Sequence, residues 1–235
     1  MFEKLLTLIL DILYPLACVI CNRPDAILCQ MCRASMPVKP QKMIRPAEHL
    51  DYVMVCSNYV YRSVHTVIKN FKYQGITALA EPLADMLCKT YASLAREGTP
   101  TLIPIPLHWR KERARGYNQS RLLAELVAQK TQLPIAYGLK RIRYTKSQSK
   151  LGRLQRKTNV STAFRYLETR APRRVLLIDD ITTTCSTLES AAAELKKKGA
   201  RTVGALVVAR SASLNSSHPL EPRPEQERRG IPLSF

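Results

Sequence analysis

The sequence predicts an α/β protein built on a doubly wound, mainly parallel sheet, preceded by a small N-terminal four-cysteine element. Three observations carry that expectation. Two apolar runs, residues 175–178 and 203–208, read as strands buried on both faces, and the helical segment 186–198 between them makes the pair parallel. The same alternation of strand-like and helix-like segments recurs upstream. Four cysteines fall within residues 18–32 as two Cys-x-x-Cys pairs.

From the N-terminus, Phe2, Leu5, Leu6, Ile9 and Leu13 form a helical stripe. Residues 2–13 are too short to span a bilayer and include Asp11, so the segment reads as a docking helix of a cytoplasmic protein with no transmembrane segment, held at the inner face of the membrane through partners if at all. Cys18, Cys21, Cys29 and Cys32 then offer four thiolates for one tetrahedral ion, read as structural zinc, with paired disulfides or an iron–sulfur site as alternatives. Residues 37–46 hold three prolines without periodicity and read as a linker, which divides the chain into 1–45, a main domain 46–211 and a disordered tail 212–235.

Within the main domain, residues 52–61 are rich in Val and Tyr and predict a strand, after which Ser63 is expected to cap a helix carrying Val64, Ile68 and Phe71. Leu79, Leu83, Met86, Leu87 and Leu94 predict a helix over 76–96, stopped by Gly98. Residues 101–106 read as a strand and 118–130 as an amphipathic helix, with a basic loop between them. His108 and Trp109, beside that strand, read as packing residues.

The chain carries 37 Lys+Arg against 18 Asp+Glu, a formal charge of +19. Residues 109–174 alone hold 18 Lys+Arg and 3 Asp+Glu, a net +15. A charge this dense points to a polyanionic partner or a phosphate-rich ligand. Nothing in the pattern resembles a helix-turn-helix, so duplex readout is not expected.

The most informative segment is residues 175–187. A buried strand delivers Asp179 and Asp180, a hydroxyl-rich turn follows, and the next helix begins with unpaired N–H groups and a positive dipole end. Ser186 and Glu189 have capping-box spacing, which accounts for those two residues. It leaves two adjacent carboxylates that need donors or a metal.

At these residues the chain resembles the type I phosphoribosyltransferases, whose phosphoribosyl pyrophosphate (PRPP) signature is a strand, an acidic pair and a Thr-Gly-rich turn. The resemblance implies that Asp179 and Asp180 meet the ribose hydroxyls as the catalytic pair. It also implies that Thr182, Thr183, Thr184, Cys185, Ser186 and Thr187 form the phosphate loop, and that Mg²⁺ bridges the pyrophosphate. Cys185 stands where that family has glycine, which bears on how closely the backbone approaches phosphate.

Three further stretches resemble the ComF (GntX-like) group of competence proteins: Tyr14-Pro15 with the four cysteines, residues 68–73, and residues 104–119. The basic segment with Arg141, Arg143, Thr145, Gln148, Leu151, Arg156 and Asn159 matches the same group. Arg110, Arg113 and Arg115 follow a strand end, where guanidinium groups suit pyrophosphate or nucleic-acid phosphates. Lys69, Lys72, Arg141, Arg143, Lys150, Arg153 and Arg156 are candidate contacts to a strand backbone, with Tyr73 and Tyr117 as stacking faces for unpaired bases. The resemblance implies a role in DNA uptake during natural transformation, binding single-stranded DNA and PRPP with Mg²⁺. Two alternatives stand beside it: an active phosphoribosyltransferase of nucleotide metabolism with an unknown acceptor, and a non-catalytic adaptor for a competence or DNA-translocation machinery protein.

Overall fold

A computed structural model describes residues 16–24, 26–95, 98–142 and 163–211. Its centre is a five-stranded sheet in the order β1 (Gln41–Ile44), β2 (Tyr52–Asn58), β7 (Thr202–Arg210), β6 (Arg174–Thr182), β3 (Thr101–Pro104). β1 pairs antiparallel with β2, and the other neighbours are parallel. The α/β class and the mainly parallel sheet are as the alternating apolar runs predict.

The pleat divides the core. Leu176 and Ile178 of β6, with Met54, Leu102, Leu206 and Val208, meet three helices: α2 (Arg62–Tyr73) through Ile68 and Phe71, α3 (Ala80–Leu94) through Leu83 and Leu87, and α5 (Gln119–Thr131) through Leu123 and Val127. Val175 and Leu177, with Val53, Ile103 and Val207, meet α6 (Ser186–Lys197) through Leu188, Ala192 and Leu195. A two-stranded sheet, β4 (Leu139–Arg141) with β5 (Phe164–Tyr166), completes that second face. Helices on both faces explain why the strands read as continuous apolar runs.

The N-terminal element is attached to the first of these layers. Val19, Ile20, Ile27 and Leu28 pack against the core, Met36 is buried in it, and Arg33 of the short α1 (Gln30–Ser35) pairs with Asp85 of α3.

Several local expectations are corrected. Residues 37–46, read as a linker, contain β1, because Gln41 to Ile44 find ladder partners in Val55 to Tyr52. The α2 helix starts earlier than Ser63: Tyr61 is its N-cap and no side chain caps it. The helix over 76–96 is a 3₁₀ turn, Thr77–Leu79, followed by α3, with Pro82 in the first turn where its missing N–H is harmless. β6 runs four residues past Ile178, so Asp179 and Asp180 sit inside the strand. Finally, Ser186 and Glu189 do not form a capping box. Cys185 is the N-cap of α6, and the Glu189 carboxylate instead accepts from the backbone N–H groups of His49 and Leu50 (both 3.0 Å) and from His49 Nδ1 (2.7 Å). Residues 1–15, Arg143, Lys150, Arg153, Arg156 and the expected tail lie outside the described residues.

Candidate functional site

The carboxyl edge of the parallel strands gathers most of the candidate residues, as expected where crossovers enter and leave an open sheet. Asp180 is buried and pairs with Lys72 Nζ at 2.9 Å from the last turn of α2. Asp179 Oδ1 accepts from Ser120 Oγ at 2.8 Å, in the first turn of α5, and from the Asp180 N–H at 2.9 Å. Desolvation, followed by the neighbouring Asp180 charge, pushes the Asp179 carboxyl up to about 7.

The loop after β6, the candidate phosphate loop, has its hydroxyls sorted. Thr182 is buried, with Oγ1 3.6 Å from Cys185 Sγ, so it belongs to the strand's end. Thr183, Thr184 and Ser186 are exposed, Thr187 is half-buried, and Thr184 Oγ1 lies 3.1 Å from Ser186 Oγ. Cys185 has φ 58°, the left-handed conformation that glycine takes without strain. The chain thus carries a side chain at a left-handed position of this turn. Cys185, the N-cap, makes no side-chain hydrogen bond to α6, whose first N–H groups point toward the loop by helix geometry.

Cations line the opposite side. The helix α4 (Trp109–Arg115) ends at Gly116, whose φ of 81° lets the chain reverse into Tyr117 and the N-cap Asn118. Asn118 also donates to Ile105 O at 3.2 Å, which ties this turn to the end of β3. A cleft of about 330 Å³ opens between Lys72, Tyr73, Gly75, Lys111, Ala114 and Arg115. Burial, then the charges of Arg141, Arg115 and Lys72, pull the Lys111 ammonium below its usual range. Arg141 of β4 is likewise lowered by burial, against the raising influence of Asp179. Lys111 thus stands among three cations, while Lys72 is held above its usual range against burial by Asp180, so the cleft is positive on the side away from the acidic pair.

The aromatic candidates separate. Tyr73 is 65% exposed with the Arg115 guanidinium over its ring at 5.1 Å, and exposed Lys69 lies one turn earlier on α2. Tyr117, expected to offer a face to a base, packs its ring 5.6 Å from that of Phe71 and donates its hydroxyl to the Phe71 carbonyl. Trp109, expected to be packing, is 60% exposed with Arg110 5.1 Å from its ring. His108 is buried as expected, and its ring nitrogen accepts from the Arg110 N–H at 3.3 Å, capping α4. Arg110 and Arg113 are exposed, while Arg115 is half-buried and donates to Gln119 Oε1 at 2.9 Å.

Two candidate contributors escape the sequence reading. Ser120 and Lys111 carry no local signature, because an ordinary hydroxyl or lysine in a helix becomes a candidate only through what the fold sets opposite it. Gln119 falls in the 104–119 motif but has no role assigned from the sequence. Gln119 is buried with its Nε2 unpartnered among the described residues.

At the other end of the chain the four cysteine sulfurs lie within 4.8 Å of one another. Cys18 and Cys21 flank a turn closed by the Asn22 N–H on Cys18 O at 2.8 Å, Cys29 is the N-cap of α1, and Cys32 follows inside it. Burial raises the Cys18 thiol, but the N–H groups of Cys21, Cys29 and Ile20 outweigh it and bring it down to about 6. The Cys21 and Cys29 sulfurs are 3.7 Å apart, close to the edge of roughly 3.8 Å that a ZnS₄ tetrahedron needs with bonds of about 2.3 Å. Four sulfur donors fit such an ion and leave no open position, the composition of a structural centre. Cys56, by contrast, is buried in the core and pushed up to about 12.

Comparison with known proteins agrees with this geometry. The description "Phosphoribosyl transferase domain" matches residues 118–220, which include Ser120, the acidic pair and the phosphate loop. Competence protein F of Haemophilus influenzae is 28% identical over 169 residues, covering 68% of this chain and 73% of that protein. Competence protein ComFC of Bacillus subtilis is 26% identical over 199 residues, covering 83% and 78%. DNA utilization protein YhgH of Salmonella typhimurium is 31% identical over 145 residues, covering 58% and 63%. With its sheet order, its acidic pair before a hydroxyl loop and its cysteine element, the chain carries a phosphoribosyl transferase domain match over residues 118–220 and is similar to the ComF-like competence proteins.

Proposed function

We propose that this protein takes part in DNA uptake by holding single-stranded DNA, and that the carboxyl edge of its sheet binds PRPP with Mg²⁺ or a related phosphorylated ribose. The observation that carries this reading is the meeting, at one edge, of the Asp179–Asp180 pair, exposed loop hydroxyls before an uncapped helix, and the cations Lys72, Lys111, Arg115 and Arg141. The names of the competence and DNA utilization relatives support the biological setting.

In this reading Asp179 and Asp180 accept hydrogen bonds from the vicinal ribose hydroxyls, with Asp180 exchanging its contact to Lys72 for one to the sugar. Thr183, Thr184, Ser186 and the first N–H groups of α6 hold the 5′-phosphate, and Arg115 and Lys111 face the pyrophosphate. Mg²⁺, arriving with the ligand, offsets pyrophosphate charge. Tyr73 and Trp109, exposed beside Arg115 and Arg110, supply stacking faces for unpaired bases, while Lys69 and Arg113 extend the basic rim. The cytoplasmic face of a DNA-translocation machine is the setting this chemistry suits, since single strands emerge there.

The direct test is calorimetric titration of PRPP with and without Mg²⁺. Wild type is expected to bind in a Mg²⁺-dependent manner, Asp179→Asn/Asp180→Asn to lose binding, and Cys185→Gly to bind more tightly. Binding that ignores the acidic pair would overturn the sugar site. Separately, Tyr73→Ala/Trp109→Ala is expected to weaken single-stranded oligonucleotide binding by about 1–3 kcal/mol for each base that loses its stack. Unchanged oligonucleotide affinity would remove the stacking assignment.

A further inference from the structure

Among the described residues, the charge-rich stretch 109–174 does not stay together in the fold. Lys111, Arg115 and Arg141 lie at the carboxyl edge, whereas Arg173 and Arg174 stand at the start of β6 at the amino edge, roughly 20 Å along the strand from Asp180. There Arg201, at the start of β7, joins them. The three arginines and the hydroxyls of Thr99, Thr101 and Thr202 line a cleft of about 490 Å³ that contains no acidic and no aromatic residue.

The cleft is held by backbone. Arg173 O accepts from the N–H groups of both Arg201 (2.8 Å) and Thr202 (3.0 Å), which fixes the separation of the two strand starts. Gly98, at φ 60°, lets the Arg174 guanidinium lie against the chain, where a Cβ would stand 2.7 Å from Nη1.

The arginines are not there to finish the adjacent helix. The last carbonyls of α6 and of Lys198 are taken by backbone donors: Leu195 O by Ala200, Lys196 O by Gly199 and Lys198 O by Ala171. Asp51, the nearby carboxylate, is engaged by Lys196 Nζ and the Val203 N–H. Among the described residues the side chains of Arg173 and Arg201 make no ion pair with a carboxylate, and both are exposed.

We propose that this amino-edge cleft is a second phosphate-binding site, distinct from the sugar-phosphate edge. Guanidinium forks and threonine hydroxyls match phosphate oxygens, and the lack of an aromatic face means the site grips phosphate without reading a base. The phosphates come either from a nucleic-acid strand that runs over both ends of the sheet or from a free polyphosphate.

Calorimetric titration with sodium tripolyphosphate, and with a single-stranded oligonucleotide over a range of salt, tests the site. Arg173→Gln/Arg201→Gln is expected to weaken tripolyphosphate binding about tenfold, the loss of roughly one charge-assisted hydrogen bond. Fluorescence of Trp109, the single tryptophan, reports the carboxyl edge and is expected to respond to PRPP as in wild type. If strand phosphates are the ligand, the slope of log affinity against log salt also falls by about 1.4, from about 0.7 per phosphate contact. If the ligand is a free polyphosphate, the slope is unchanged while tripolyphosphate affinity still drops. Wild-type affinity and slope in the folded double variant would overturn the proposal, as would an equal loss in the charge-matched Arg62→Gln/Arg165→Gln.

Discussion

Asp179 shows how one side chain can couple the site to the stability of the whole chain. Its carboxyl titrates near 7 in the folded protein, against an ordinary value of 3.8, because desolvation and Asp180 both resist its ionisation. Between about pH 4 and 7 the folded state therefore holds a proton that the unfolded state releases, so stability falls as pH rises through that window. Asp179→Asn is expected to abolish this loss: it should unfold at higher urea than wild type at pH 8, with the difference vanishing near pH 4. A ligand that prefers the carboxylate is expected to bind more tightly as pH rises through 7, and calorimetry of PRPP at pH 6 and pH 8 reads that sign. Cys185 is the other telling residue, since its φ of 58° places a side chain where glycine would be unstrained.

The position of the loop depends on how α6 is anchored. Its first turn is tied to the chain entering β2 by Glu189, which holds the N–H groups of both His49 and Leu50. Those donors are partly buried, so removing the carboxylate leaves them unmet. Glu189→Ala is expected to lower stability by about 1–3 kcal/mol, read as a lower urea midpoint with an unchanged slope. The same change should loosen the loop and weaken PRPP binding, whereas loss confined to ligand affinity would mean that the anchor matters only locally. The α4 turn has a comparable device in His108, which caps one end while Gly116 closes the other.

Across the molecule, the cysteine element is continuous with the main core through Val19, Ile20, Ile27, Leu28 and Met36. Metal removal should therefore be felt beyond residues 16–36. The protein as purified is expected to carry about one zinc per chain. Cys18→Ser/Cys21→Ser is expected to lose that metal and lower the thermal midpoint of the whole sheet. An unaltered midpoint would make the element an independent appendage. The proposed phosphate binding likewise belongs to this scale, because among the described residues the basic side chains fall at both ends of the sheet.

How much of this was legible beforehand differs by element. Buried parallel strands have to be apolar throughout, and two Cys-x-x-Cys turns can bring four thiols together, so the α/β class and the clustering of the four cysteines were readable directly. Asp179 and Asp180 stood out for a related reason, since adjacent charges on an apolar strand need an explanation. Other features were decided only by tertiary structure. Glu189 was readable as a cap until His49, 140 residues away, proved to be its partner. Tyr117 and Trp109 differ from expectation in exposure because exposure depends on what packs alongside, and α4 leaves Trp109 outside while Phe71 receives Tyr117. Ser120 and Lys111 became candidate site residues only when α5 and α4 were set against the ends of β6 and α2. The sequence by itself determined which segments must be buried and which groups demand partners, since those follow from local pattern and desolvation. The identity of the partners was left to the fold, because contacts across a crossover join residues whose separation in sequence carries no signal.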